Sequence, residues 1–226
     1  GLTALNSTDT PVPAAAEHWT ISPDGKTYTF TLRTNGRWSN GDPVTAHDFY
    51  YAWTTALSPA LASEYAYQLY YIKNGELFNK GEAPVEALGI KVINDLTLEV
   101  TLEHPTAYFL SLVSFHTYYP VHRKTVEANP NWAADPKTLI GNGPFVLTNW
   151  IHNSKLEFAK NTFYYDIKKV KLAKLEFIIT ESAATELAMF ENNQLDMGDN
   201  PPPNEFPRLI KENKLTLSPY LGTYFF

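Results

Sequence analysis

Lys26-Thr27-Tyr28-Thr29-Phe30-Thr31-Leu32-Arg33 alternates residue by residue, with Tyr28, Phe30 and Leu32 on one face and threonines on the other. A period of two with one apolar face is the pattern of a half-buried strand. Toward the N-terminus, Ser22-Pro23-Asp24-Gly25 has turn chemistry: the proline presets φ, the aspartate caps, and the glycine accepts φ > 0. Residues 19–21 are then the expected partner strand of a hairpin. Toward the C-terminus, Asn40-Gly41-Asp42-Pro43 is a second turn. Thr45-Ala46-His47-Asp48 starts a helix, with Thr45 at the N-cap and Asp48 at N3, where a carboxylate suits the helix dipole. Phe49, Ala52, Trp53 and Ala56 continue it at helical spacing, and Ser58-Pro59 stops it.

Further along, residues 60–84 read as an irregular helical stretch. A hairpin follows, 88–93 and 96–102 about the turn Asn94-Asp95, with Leu96, Leu98, Val100 and Leu102 alternating. The apolar run 108–115 suggests a short helix packed on that hairpin, and 123–128 another helix closed by Asn129-Pro130. From residue 140 the pattern becomes strand, loop, strand, at 145–147, 155–158 and 175–179. A helix is expected over 180–192, a short strand over 195–197, a helix over 206–212, and strands over 215–217 and 220–226. Asn200-Pro201-Pro202-Pro203 is expected to be neither helix nor central strand. Helices mixed with strands of both kinds give an α/β, or mixed α+β, class. The chain stops on Phe225-Phe226 without a turn or cap, so a fragment is expected.

Composition narrows the function. The 226 residues carry a formal charge of −6 with no basic run, so the face that many phosphate contacts require is not offered and nucleic acid is not an expected partner. No apolar stretch reaches 18 residues, and the first residues lack the charged start and apolar core of an export signal. Any signal or lipid anchor is expected to have been removed or to lie upstream. With no cysteine, thiolate metal sites, disulfides and cysteine nucleophiles are excluded. The aromatic share of 14% suits either ligand-contacting surfaces or strand formation, and composition does not choose between them.

Catalytic chemistry finds no foothold. His18, His47, His104, His116, His122 and His152 form no metal-binding pattern and are expected as surface or capping residues. There is no nucleophile elbow and no Walker loop. Gly141-Asn142-Gly143-Pro144 is glycine-rich, but its proline removes an amide donor that a phosphate cradle would need. No enzyme, no cofactor and no metal are expected.

The segment from Ala16-Glu17-His18-Trp19 through Ser22-Pro23-Asp24-Gly25 and Tyr28-Thr29-Phe30-Thr31-Leu32-Arg33 to Trp38-Ser39-Asn40-Gly41-Asp42-Pro43-Val44-Thr45-Ala46-His47-Asp48-Phe49 resembles the signature of the peptide/nickel-type solute-binding proteins of ABC importers. Gly143-Pro144-Phe145 resembles that family's T-G-P-Y turn, with Asn142 in place of threonine. Asn161 to Tyr165 resembles its N-x-x-Y-W, and Leu195-Asp196 its G-x-[IL]-D. The likeness covers essentially the whole chain and is nearer to oligopeptide receptors. It implies a partial periplasmic-binding-protein type II-like fold: residues 1–121 as an outer domain (domain II), and 122–226 as part of lobe I, with the second lobe absent. It further implies an extracytoplasmic receptor, either periplasmic or a cell-surface lipoprotein. Such a receptor would capture oligopeptides and deliver them to the permease subunits of an ABC importer, touching the membrane only through a lipid anchor outside this chain. Alternatives within the resemblance are a nickel chelate, heme or an oligosaccharide as ligand, or an interaction module.

The implied peptide contacts are Tyr65, Asp199, Asn200, Tyr220, Gly222, Thr223, Tyr224 and Phe225. A receptor for many sequences should bind main chain along a strand edge, and 220–225 suits that role, with Gly222 allowing close backbone approach. The plainer alternatives are a buried strand for Tyr224, ordinary turn residues for Asp199 and Asn200, and a helix-face aromatic for Tyr65. Trp38 and Trp53 are assigned to the core.

Overall fold

A computed structural model describes residues 1–217. The chain divides into two compact units, one of residues 1–150 and 157–175 and the other of residues 151–156 and 176 onward. The first unit opens with a hairpin that the sequence reading missed, Thr3–Leu5 (β1) paired antiparallel with Pro11–Pro13 (β2). Asn6 holds its turn, accepting from the amides of Thr8 and Thr10 at 2.9 and 3.0 Å, and Asp9 takes φ +55°. β2 pairs only with β1, the edge position that two prolines allow.

Ala16–Ile21 (β3), Thr27–Leu32 (β4), Ile90–Asn94 (β5) and Thr97–Thr101 (β6) form an antiparallel sheet in the order β3-β4-β6-β5. The expected hairpin is present, and Gly25 sits at φ +70° with its amide bonded to Ser22 O. The alternation in β4 is real: Tyr28, Phe30 and Leu32 are buried while the threonines are half-buried. Tyr28 lies opposite Val100 and Phe30 opposite Leu98, so two sequence-distant apolar faces coincide.

Ala46–Leu57 (α1) buries Phe49, Ala52, Trp53 and Leu57 in the same core. Its start is as the sequence reads: the Asp48 carboxylate accepts from the Thr45 amide at 2.7 Å and from the buried Trp38 indole at 3.3 Å. Cap and core are thereby tied by one carboxylate. The irregular stretch contains a 3-10 turn, Ala66–Leu69, and the short helix Gly75–Asn79 (α2). Phe109–Leu112 (α3) places the Phe109 ring 4.9 Å from Tyr28 and 6.5 Å from Phe30, so it packs on β4. The Trp53 indole donates to Tyr118 O at 2.9 Å. Arg123–Ala128 (α4) follows.

Phe145–Ile151 (β7), Lys155–Lys160 (β8) and Lys174–Ile178 (β9) form a sheet in that order. Ala183–Glu191 (α5) begins at Ser182, whose hydroxyl accepts from the Thr185 amide at 3.2 Å, three residues later than the sequence suggested. Phe206–Lys211 (α6) follows a 3-10 turn, Pro203–Glu205. Pro203 thus opens helical structure, contrary to expectation, because the first position of a turn donates no internal bond. The strands expected over 195–197 and 215–217 are absent. Neither segment has a ladder partner among the described residues, and apolar composition without pairing does not make a strand.

Candidate functional site

In the first unit the motif turns meet. The amide of Ser39 donates to Gly141 O at 2.8 Å, and the Gly141 amide returns a bond to Ser39 Oγ at 3.3 Å. Gly41, at φ +90°, faces the Phe163 ring, which a Cβ would meet at 3.3 Å. Asn161 is 2% exposed; its Nδ2 donates to Gly143 O at 2.8 Å and its Oδ1 accepts from the Phe163 amide at 2.9 Å. The turns 39–43 and 161–165 are thereby each hydrogen-bonded to the turn 141–144, and they touch each other through Gly41 and the Phe163 ring.

His122 joins them. It was expected as a surface or capping residue; it takes the N-cap position of α4 but is buried: Nδ1 lies 2.7 Å from Thr125 Oγ1, Nε2 2.9 Å from Asp42 Oδ2, and the ring packs edge-on to Trp38. The hydrogen bond from His122 is the main reason the Asp42 carboxyl sits below the usual carboxylate range. Glycine and asparagine in these turns therefore serve the joint, which the sequence motif could not distinguish from ligand contact. Beside it lies a cavity of about 750 Å³, bordered by Arg33, Trp38, Val121, Ile140, Gly141 and Tyr165. Its two arginines are already engaged: Arg33 stacks 4.5 Å over Tyr165 and lies 3.6 Å from Glu17, and Arg37 donates to Thr34 O and Gly36 O at 3.2 and 2.9 Å.

Tyr65 stands elsewhere in this unit, at the head of the 3-10 turn, and is 44% exposed. Its ring is 5.9 Å from Tyr67, 6.0 Å from Phe115 and 5.7 Å from His116. Tyr67 and Phe115 were not singled out from sequence, and His116 was expected only as a surface or capping residue. The Tyr-Ala-Tyr spacing was visible, but only tertiary packing brings residues 115 and 116 to it.

In the second unit Asp199 and Asn200 are neighbours, Asn200 Nδ2 donating to Asp199 Oδ2 at 3.1 Å, and both are exposed. The Asp199 amide donates to Glu186 Oε1 on α5, and that same oxygen is 3.0 Å from where a Cβ on Gly198 would sit. The loop is anchored to the helix by one carboxylate that sequence reading missed, since the contact spans 13 residues. Arg208 on α6 binds Glu205 and Glu191, each at 2.7 Å, and Glu212 at 3.3 Å. Tyr220, Gly222, Thr223, Tyr224 and Phe225 lie outside the described residues. Among the described residues, no cluster of three or more His, Asp or Glu side chains could hold a metal ion.

Residues 10–226 match the profile of the bacterial extracellular solute-binding proteins, family 5 middle region. The chain belongs to this family. Over its whole length it is 42% identical to the oligopeptide-binding protein OppA of Bacillus subtilis, of which it covers 42%. It superposes on the substrate-binding domain of an oligopeptide ABC transporter from Bacillus anthracis with a TM-score of 0.84 and 47% identity, over 87% of this chain and 38% of that one. Against Haemophilus influenzae OppA in complex with the peptide RPPGFSPFR, the TM-score is 0.89 and the identity 36%, over 94% of this chain and 42% of that one. The chain thus spans about two fifths of the family-5 relatives it matches.

Proposed function

We propose that this family-5 chain is part of an extracytoplasmic receptor that captures oligopeptides and hands them to the permease of an ABC importer. The observation that carries the reading is the identity to oligopeptide-binding relatives, which extends over the whole chain. The relative from Haemophilus influenzae is bound to a peptide rich in proline and phenylalanine. On this reading the protein is a binding protein and not an enzyme. Residues 1–121 correspond to an outer domain and 122–226 to part of lobe I. A lipid anchor would hold the receptor at a cell surface, or it would be free in a periplasm.

Tyr65, Asp199 and Asn200, with Tyr220, Gly222, Thr223, Tyr224 and Phe225, are the proposed peptide contacts. Peptide main chain is the natural target of such a set: phenol, carboxylate and amide groups accept and donate to N–H and C=O without reading sequence. Exposed tyrosines add contact area at low entropic cost. Mass spectrometry of the full-length protein under native conditions, followed by gentle denaturation, tests the reading. Released peptides of a few residues and mixed sequence are the expected result. Release of a heme, a metal chelate or an oligosaccharide in their place would refute it.

A further inference from the structure

We propose that Tyr65, Tyr67, Phe115 and His116 form a specificity surface that favours peptides carrying a ring side chain, namely proline, phenylalanine, tyrosine or tryptophan. The proposal rests on the peptide-capture reading and names a preference within it.

Three rings gather about Tyr65 with centroids 5.7–6.0 Å away, and Phe115 and His116 lie 4.0 Å apart. Tyr65 and Tyr67 are 44% and 52% exposed, so part of each side chain meets solvent, whereas the core aromatics Trp53 and Phe109 are fully buried. A second tyrosine pair shows the contrast. Tyr71 and Tyr108 meet edge to face at 5.7 Å and bond hydroxyl to hydroxyl at 3.3 Å, so each completes the other. The Tyr65 and Tyr67 rings are stacked at 26°, and among the described residues neither hydroxyl has such a bond. Their exposed ring surface can take a further ring, and uncommitted hydroxyls can take main-chain N–H or C=O. An extended peptide offers both together: its side chains on one face repeat about every 6.7 Å. That spacing is close to the 5.9 Å between the Tyr65 and Tyr67 rings. Ring-on-ring contacts of this kind add to simple burial, so a peptide ring is favoured over an alanine methyl at the same place.

The test uses the full-length protein and calorimetric titration with tetra-alanine and with four tetrapeptides bearing one phenylalanine, at each position in turn. At least one phenylalanine position should bind more tightly than tetra-alanine. Tyr67→Ala and His116→Ala should each reduce that preference about 2- to 13-fold, the range of one aromatic pair. Tyr67→Phe, which keeps the ring, should retain it, as should Tyr108→Ala at the self-paired site. Thermal melting of each variant checks folding, and Tyr67 is exposed enough for truncation to be tolerated. Equal affinity for all five peptides would overturn the specificity surface, as would an undiminished preference in both alanine variants. Failure of the unaltered protein to bind any of the five would instead refute the peptide-capture reading itself.

Discussion

Replacing Asn161 by alanine should unfold the joint of the first unit without touching any proposed ligand contact. The side chain is 2% exposed and makes two bonds to backbone, to Gly143 O at 2.8 Å and from the Phe163 amide at 2.9 Å. Truncation leaves a carbonyl and an amide without partners in a half-buried setting. At roughly 1–2 kcal/mol for each orphaned group, Asn161→Ala should cost about 2–4 kcal/mol. For a chain of this size that lowers the melting temperature by on the order of 5–15 °C. Asn161→Asp is nearly isosteric, but it sets an oxygen against the Gly143 carbonyl oxygen and should lose as much. Urea titration followed by tryptophan fluorescence and by far-UV circular dichroism measures both variants. If both melted like the parent while peptide affinity fell, Asn161 would be a ligand contact and the joint a misreading. If Asn161→Asp alone were tolerated, shape would matter there in place of hydrogen bonding.

Two further outcomes are expected. Gly25→Val forces a β-branched residue into φ +70° and should destabilise by about 1–3 kcal/mol in thermal melts, with peptide binding by the folded full-length protein unchanged. The Asp42 carboxyl is held below the usual range chiefly by the bond from His122. A depressed folded-state pKa contributes stability that is present above the unfolded carboxylate value and is lost as pH falls through the folded value. His122→Phe should therefore destabilise at about pH 5.5, and the gap from the parent should narrow toward about pH 2.5. A gap that stayed constant over that range would mean His122 acts through packing alone.

What was legible in the sequence was local and periodic. Tyr28, Phe30 and Leu32 announced β4 because one face of that strand is buried and the other is not. Gly25 and Thr45 announced a turn and a helix start because each satisfies a backbone requirement within a few residues. The β1-β2 hairpin was missed because two three-residue strands with prolines carry no readable alternation. Residues 195–197 and 215–217 were read as strands on composition, yet pairing decides a strand and composition does not supply it. The joint built by Asn161, Ser39 and His122 was invisible for another reason: its bonds span up to 102 residues and follow no period. The ring cluster about Tyr65 is of the same kind. One of its members could be named from resemblance, and the other three needed the fold to bring residues 115 and 116 beside 65 and 67.

Calorimetric titration of the full-length protein with tri- to pentapeptides of varied sequence, alongside free amino acids, heme, a nickel chelate and an oligosaccharide, tests peptide capture most directly. Saturable one-to-one binding of several unrelated peptides is expected, at micromolar or tighter dissociation constants, equivalent to at least about 8 kcal/mol. Free amino acids should bind far more weakly, because they offer too little main chain for strand-edge recognition. Saturation by heme, the chelate or the oligosaccharide, with no heat from any peptide, would contradict it.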